Sequence, residues 1–229
     1  PAARIRRGLA GARLVASAAA AKQMAFRFDN GAWLGVHLGM TGELTAASAG
    51  YRPGKHDHLV IDFPKATLVF TDPRMFGGVR FHAGPEAPEW WTKIAPNLLS
   101  QEFSQGALDA FLQRRAKAPI KAVLLMQERF PGIGNWMADE ILWRAEIHPA
   151  QPAGSLTTVE SKRLRKEIRA VCRNALNRIA GKGDFIPHDL NVGIPPTWLF
   201  NHRWRDGGIC PRGGVPLERA DIGGRTTCW

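Results

Sequence analysis

The sequence predicts an α+β protein: an N-terminal antiparallel β-sandwich, then a helical domain, then a small C-terminal β-hairpin. Three observations carry this. Between residues 23 and 82 apolar residues alternate with polar ones in short runs bounded by turn residues, the period of half-buried strands. Pro85, Pro88 and Pro96 then break the chain. Beyond them, as far as Ile179, apolar residues recur at three- and four-residue intervals, the period of amphipathic helices. Strands in one block followed by helices in the next give segregated layers rather than an alternating α/β fold. The expected boundaries are 1–96 for the sandwich, 97–197 for the helical domain and 198–229 for the hairpin.

Residues 1–21 show little pattern beyond a basic cluster, Arg4, Arg6 and Arg7, and at most a short helix. Met24, Phe26 and Phe28 then alternate with polar neighbours. Asp29-Asn30-Gly31 supplies hairpin turn chemistry, and Leu34, Val36 and Leu38 alternate in the return strand. Further strands fit 58–63, 66–71 and 78–82, with Pro64-Lys65 as a turn. Leu108, Phe111 and Leu112 mark a first helix and residues 120–126 a second. The stretch 130–149 holds a third: Gly132, Gly134 and Asn135 precede Met137, Ile141, Leu142 and Ala145 at helical spacing, and His148-Pro149 closes it. The longest helix spans 155–179. Thr157 and Glu160 form a capping box there, and Leu164, Ile168, Val171 and Ile179 form a buried stripe with Cys172 on it. Lys162, Arg163, Arg165, Lys166, Arg169 and Arg173 occupy its other faces, and Gly181 is a suitable stop. Residues 181–197 read as a glycine- and proline-rich loop.

The 229 residues carry 31 Lys and Arg against 20 Asp and Glu, a net charge of +11 with a pI near 10.3. That surplus favours a polyanionic partner, nucleic acid first. Three cysteines cannot build a disulfide framework, in keeping with a reducing compartment. No apolar run approaches membrane-spanning length, and the start lacks the apolar segment of a secretory signal. The expectation is a soluble, cytoplasmic monomer. A glycine turn opening onto the helix at Asn135 leaves backbone N–H groups at the positive end of a helix dipole, which suits a phosphate.

Four ordered segments turn this into a family resemblance. Gly132-Ile-Gly-Asn135 with Ala138-Asp-Glu140 and Ile147-His-Pro149 resembles the helix–two-turns–helix signature of the formamidopyrimidine-DNA glycosylase and endonuclease VIII family. Leu38-Gly-Met-Thr-Gly42 resembles that family's first interlobe loop. Lys55-His-Asp-His58 and Thr71-Asp-Pro-Arg-Met-Phe-Gly77 resemble the strand and loop after it, and Gly223-Gly-Arg-Thr226 resembles the tip of its C-terminal finger.

The resemblance implies a bifunctional enzyme that excises an oxidised base from double-stranded DNA and cleaves the abasic strand by β/δ-elimination. It implies DNA lying between the two lobes, and an imine at the amine of an N-terminal proline, here Pro1. An α-amine titrates at about 7.7–8.0, against about 10.4 for lysine, so a useful fraction is neutral near pH 7. Lys22 matches the lysine beside the lesion, and Glu140 the acidic residue facing the catalytic amine. Met40, Arg74 and Phe76 match the triad that fills the gap left by a flipped base. His56, Asn135 and Arg225 complete the DNA-binding set. Two departures stand out: Ala2 and Ala3 follow Pro1 where the family carries an acid, and roughly thirty residues of the N-terminal lobe lack a counterpart before Lys22.

The finger departs too. Gly213 follows Cys210 at the second ligand position of a Cys-x-x-Cys pair, and Cys228 is out of register. A tetrahedral zinc site wants four ligands. The expectation is therefore no zinc and no other cofactor, the hairpin being held by Trp204, Leu217 and Trp229. Two rival readings are a non-catalytic binder of damaged or abasic DNA and a basic RNA- or ribosome-associated module.

Overall fold

The computed structural model describes residues 2–179, 190–203 and 208–229. Its contacts divide the chain into two compact units, Pro1–Ile94 and Ala95–Trp229, so the C-terminal hairpin shares a unit with the helices.

In the first unit α1 (Ala2–Leu9) precedes seven strands: β1 (Leu14–Ala20), β2 (Gln23–Phe28), β3 (Ala32–His37), β4 (Glu43–Ser48), β5 (Asp57–Asp62), β6 (Ala66–Thr71) and β7 (Gly78–Ala83). They form two antiparallel sheets, β1-β2-β3-β7 and β4-β6-β5. Phe28, Leu34 and Val36 from one sheet meet Leu59 and Phe70 from the other in a common core. The strands expected from alternation are present. The two that alternation misses, β1 and β4, are edge strands with mostly exposed residues. A strand with little to bury needs no apolar face, so Leu-Val-Ala-Ser-Ala-Ala-Ala can pair through its backbone alone. A short helix α2 (Glu89–Thr92) closes the unit, and its Trp90 ring lies on Gly35, where a Cβ would stand 2.6 Å from the indole.

The second unit contains α3 (Gln105–Arg114), α4 (Ile120–Leu124), α5 (Asn135–Ala145), α6 (Thr158–Arg178), and a hairpin of β8 (Arg219–Asp221) and β9 (Thr226–Cys228). Phe103 and Phe111 meet Phe130 edge-on at 6.3 and 5.7 Å, and Ile141, Leu142, Leu164 and Ile168 continue this core. The capping box forms: Thr157 Oγ1 accepts from the Glu160 amide at 3.2 Å, and Glu160 accepts from the Thr157 amide at 2.7 Å. Such a cap contributes about 1 kcal/mol. α5 ends earlier than His148-Pro149 predicts, because Glu146 takes a left-handed conformation, φ 54°, that terminates it first. Much of the basic face of α6 is engaged within the unit. Arg169 donates to the carbonyls of Leu98, Leu99 and Ser100, Arg165 to that of Phe103, and Arg163 pairs with Glu146. Gly181 and residues 182–189 of the expected loop lie outside the described residues. No helix among the described residues is long and apolar enough to cross a membrane.

Candidate nucleic-acid interface

Strand direction alone gathers five of the expected residues at one end of the sandwich. Gln23 of β2 pairs with His37 of β3, which pairs with Gly78 of β7; Glu43 and Asp57 both pair with Thr71 of β6. The connections leaving that end carry Lys22, Met40, His56, Arg74 and Phe76. Met40 and Phe76 are 64% and 55% exposed, far beyond what core residues show, and the Arg74 guanidinium stacks 4.8 Å from the Phe76 ring.

Glycines and one aspartate lock the two loops. Gly39 has φ +68°, and a Cβ on it would meet the Phe76 carbonyl carbon at 2.5 Å; one on Gly77 would meet the Phe70 ring at 2.5 Å. Asp72 is buried between the loops and accepts from the Gly77 amide at 2.6 Å, from Thr41 Oγ1 at 3.1 Å and from the Arg74 amide at 3.3 Å. These donors, the Gly77 amide foremost, hold its carboxyl below the usual range. The Asp72 amide in turn donates to the His56 carbonyl at 2.9 Å, tying in the third connection. Lys22 sits in the β1–β2 turn. His37 is lowered by burial first and then by the charges of Lys22 and Arg80, which keeps a neutral imidazole beside two cations.

The second unit builds a different surface around the start of α5. Gly134 caps the helix without a side-chain bond, and the amides of the first turn have no intrahelical acceptor. Asn135 Nδ2 donates 2.9 Å to the Thr226 carbonyl, which brings the hairpin tip to this helix start. At the tip Gly223 and Gly224 have φ +65° and +73°, the geometry of a two-residue hairpin turn. A Cβ on Gly223 would stand 2.7 Å from that of Ala122 in α4, so only glycine allows the approach. Arg225 follows this turn and is exposed. Asn135, the helix amides and Arg225 thus form one cationic, donor-rich surface.

Glu140, on the same helix, lies in the interior of the second unit. It is fully buried in α5, paired with Arg144 at 2.7 Å, with the Leu199 and Phe200 amides as further donors; burial pushes its carboxyl up against these partners. Pro1 lies outside the described residues.

The hairpin meets the start of α5 at Asn135, and the segment before β8 meets the end of α5 at Trp143. Trp143 Nε1 donates to Cys210 Sγ at 3.3 Å, and the Arg212 guanidinium stacks 3.9 Å from the Trp143 ring. Of the expected packing residues, Trp229 meets His148 edge-on at 5.0 Å, Leu217 is only half-buried, and Trp204 lies outside the described residues. Burial acts to raise the Cys210 thiol, but the Gly213 amide, Trp143 and Arg212 outweigh it and bring the thiol down. Among the described residues no group of three or more His, Cys, Asp or Glu could hold a metal ion, and Gly213 offers no ligand atom.

Residues 1–79 match the formamidopyrimidine-DNA glycosylase N-terminal domain and residues 94–185 the H2TH domain of the same glycosylase. A formamidopyrimidine-DNA glycosylase of Xanthomonas axonopodis pv. citri is 33% identical over 227 residues, covering 98% of this chain and 83% of the relative. That of Roseiflexus sp. is 36% identical over 210 residues, covering 90% and 76%. The chain belongs to the formamidopyrimidine-DNA glycosylase family. Among solved structures, the Lactococcus lactis Fpg in complex with abasic-site DNA has a TM-score of 0.84 at 25% identity, over 99% of this chain and 84% of that one. The MutM (Fpg) protein of Thermus thermophilus has a TM-score of 0.77 at 31% identity, over 96% and 82%.

Within this glycosylase fold, four residues escaped the sequence reading. Asp72 lies inside a recognised motif, and its Asp-Pro step already signals a turn held by the carboxylate. His37 closes β3 directly before the interlobe loop. Met75, 73% exposed with φ 56°, stands between Arg74 and Phe76 and widens the apolar surface. Asp139 is buried beside Glu140, and nothing in its spacing on α5 distinguishes it from a solvated acid.

Proposed function

We propose that this chain is a base-excision DNA glycosylase that extrudes an oxidised base from duplex DNA and cleaves the resulting abasic strand. The observation that carries this reading is the pair of exposed apolar side chains, Met40 and Phe76, on loops locked together by glycine contacts and Asp72, with Arg74 stacked on Phe76. Extruding a nucleotide costs a few kcal/mol in lost stacking and pairing, and an apolar wedge with a cation at its side offsets that cost. A rigid wedge does so better than a mobile one, since no ordering entropy opposes insertion. The second requirement, a grip on the backbone, is met by the α5 amides, Asn135 and Arg225. Solved relatives hold abasic-site DNA and carbocyclic 8-oxo-G DNA, in agreement with a substrate that is first flipped and then cut.

Strand cleavage runs through an amine. Its attack on the sugar C1′ displaces the base. The nitrogen lone pair then opens the C1′–O4′ bond to give an iminium, O4′ taking up a proton, and loss of the acidified C2′ proton expels the 3′ phosphate. The resemblance assigns that amine to Pro1, with Lys22 as the lysine beside the lesion. The hairpin works without zinc. A DNA substrate agrees with a cytoplasmic protein of bacterial type that acts as a monomer.

Borohydride reduction on an abasic duplex, followed by peptide mapping, tests the reading. Covalent capture at Pro1 supports it in full, and capture at Lys22 moves the nucleophile. Reversible, lesion-selective binding without capture would establish the rival, a non-catalytic binder, which the alanines after Pro1 favour. Equal affinity for intact and abasic duplex would overturn both.

A further inference from the structure

One charged cluster is not used by the chemistry above. Lys121 of α4, Asp139 of α5 and Arg203 are 0%, 1% and 3% exposed, and taking such charges out of water is costly unless each is paired and hydrogen-bonded. Asp139 is the common partner. One carboxylate oxygen accepts from Lys121 Nζ, and the other lies 2.7 Å from Arg203 Nη2. The Cys228 amide of β9 donates to the same carboxylate. Lys121 Nζ also donates to the Asn135 carbonyl at 2.8 Å. Burial acts to raise Asp139 and lower Lys121, and each charge opposes the shift of the other. With cations on both oxygens and an amide besides, the carboxylate form is the one the site holds.

The placement of these contacts matters. Lys121 fixes the helix start through the Asn135 carbonyl, and Cys228 fixes the hairpin two residues after Thr226, whose carbonyl accepts from Asn135. Both halves of the phosphate-binding surface therefore hang from one buried carboxylate.

We propose that Asp139 is a positioning residue: through Lys121 and the Cys228 amide it holds Asn135 and Arg225 in register as a single clamp on the DNA backbone. The inference rests on the glycosylase reading, because the clamp needs a polyanion to grip. A hydrophobic cluster of the same volume would stabilise the unit as well or better. A carboxylate accepting from three directions specifies where the helix start and the hairpin tip lie, which packing alone does not.

The test uses affinity for abasic duplex, its salt dependence, and thermal unfolding, in the full chain. Asp139→Asn leaves two buried cations facing an amide and is the direct probe; circular dichroism reports whether it folds. Lys121→Met is the second probe. It leaves the Asp139–Arg203 pair intact and removes the Lys121 contacts to Asp139 and to the Asn135 carbonyl, and circular dichroism reports its fold too. Loss of those charge-assisted hydrogen bonds should weaken abasic-DNA binding by the folded variant roughly tenfold, and a lower unfolding temperature is expected from the broken ion pair. Combined with Arg225→Ala, either folded variant should lose less than the sum of the single losses, since one clamp is already broken. Folded variants with wild-type affinity and salt slope, or with losses that add fully, would overturn the proposal. Wild-type protein that does not prefer abasic over intact duplex would instead remove the glycosylase reading beneath it.

Discussion

Gly39 and Phe76 touch through their backbones. The position where a Gly39 side chain would begin lies 2.5 Å from the Phe76 carbonyl carbon and 2.6 Å from the Gly77 amide nitrogen, neither of which can swing aside. The loop carrying Met40 and the loop carrying Phe76 are therefore set by each other. Gly39→Ala should separate them, at a cost of about 1 kcal/mol or more from the left-handed φ alone, and slow excision of an oxidised base. Single-turnover kinetics on lesion and abasic duplexes would show it. A normal excision rate in the folded variant would mean that the two loops act independently.

Phe76→Ala and Met40→Ala should slow base excision more than cleavage at a preformed abasic site. An abasic site has no base to extrude, so little of the flipping cost remains for the wedge to offset. Met75→Ala, on the same exposed surface, should fall between these variants and wild type. Equal losses on both substrates would count against gap filling and point to a general fault in DNA binding.

Most of the sandwich is legible because its inner strands must bury one face: Phe28, Leu34 and Val36 alternate for that reason. β1 and β4 are not legible, since edge strands rich in alanine with mostly exposed side chains satisfy their backbones without a pattern. The wedge residues were legible as a motif, yet what makes them rigid was not. Asp72, Gly39 and Gly77 act through close backbone approaches between segments more than thirty residues apart, and sequence spacing holds no trace of those. Asp139 illustrates the same limit: on a helix an aspartate reads as solvated until a lysine from another helix is found against it. The capping box at Thr157 and Glu160 is the opposite case, a contact wholly local and so wholly readable.

Asp72 makes the wedge sensitive to acid. Its carboxyl is held below its ordinary value of 3.8 by amide and hydroxyl donors. A lowered carboxyl stabilises the fold fully above the unfolded value and loses that contribution as pH falls through the folded one. The loops should thus be unaffected between neutrality and about pH 5 and loosen below about pH 4. Asp72→Asn should mimic the acid state at neutral pH, because an amide cannot accept from Gly77, Arg74 and Thr41 with the same strength. Fluorescence of a probe at Met40→Cys would report the change; identical acid profiles for wild type and the Asn variant would dismiss Asp72 as the sensor.

The last expectation concerns metal, and it follows from what the cysteines already do. Cys210 accepts from Trp143 and the amides beside it, Cys228 is buried in β9 next to Asp139 and Arg203, and Gly213 has no side chain to ligate. Cys172 lies far along the chain on α6, where burial pushes its thiol up to about 11 and leaves it unreactive. The hairpin is instead fastened to α5 by Asn135, Asp139, Trp143 and Arg212, none of which needs an ion. Exhaustive chelation should then leave both the unfolding temperature and abasic-DNA affinity unchanged. Arg225→Ala, by contrast, should weaken binding and lower the slope of log affinity against log salt by about one phosphate contact. Trp143→Phe should act as a metal-site mutation would in a zinc protein, loosening the hairpin, because it removes the donor to Cys210. Stoichiometric zinc in the purified protein, lost together with DNA binding on chelation, would sink this account of the finger.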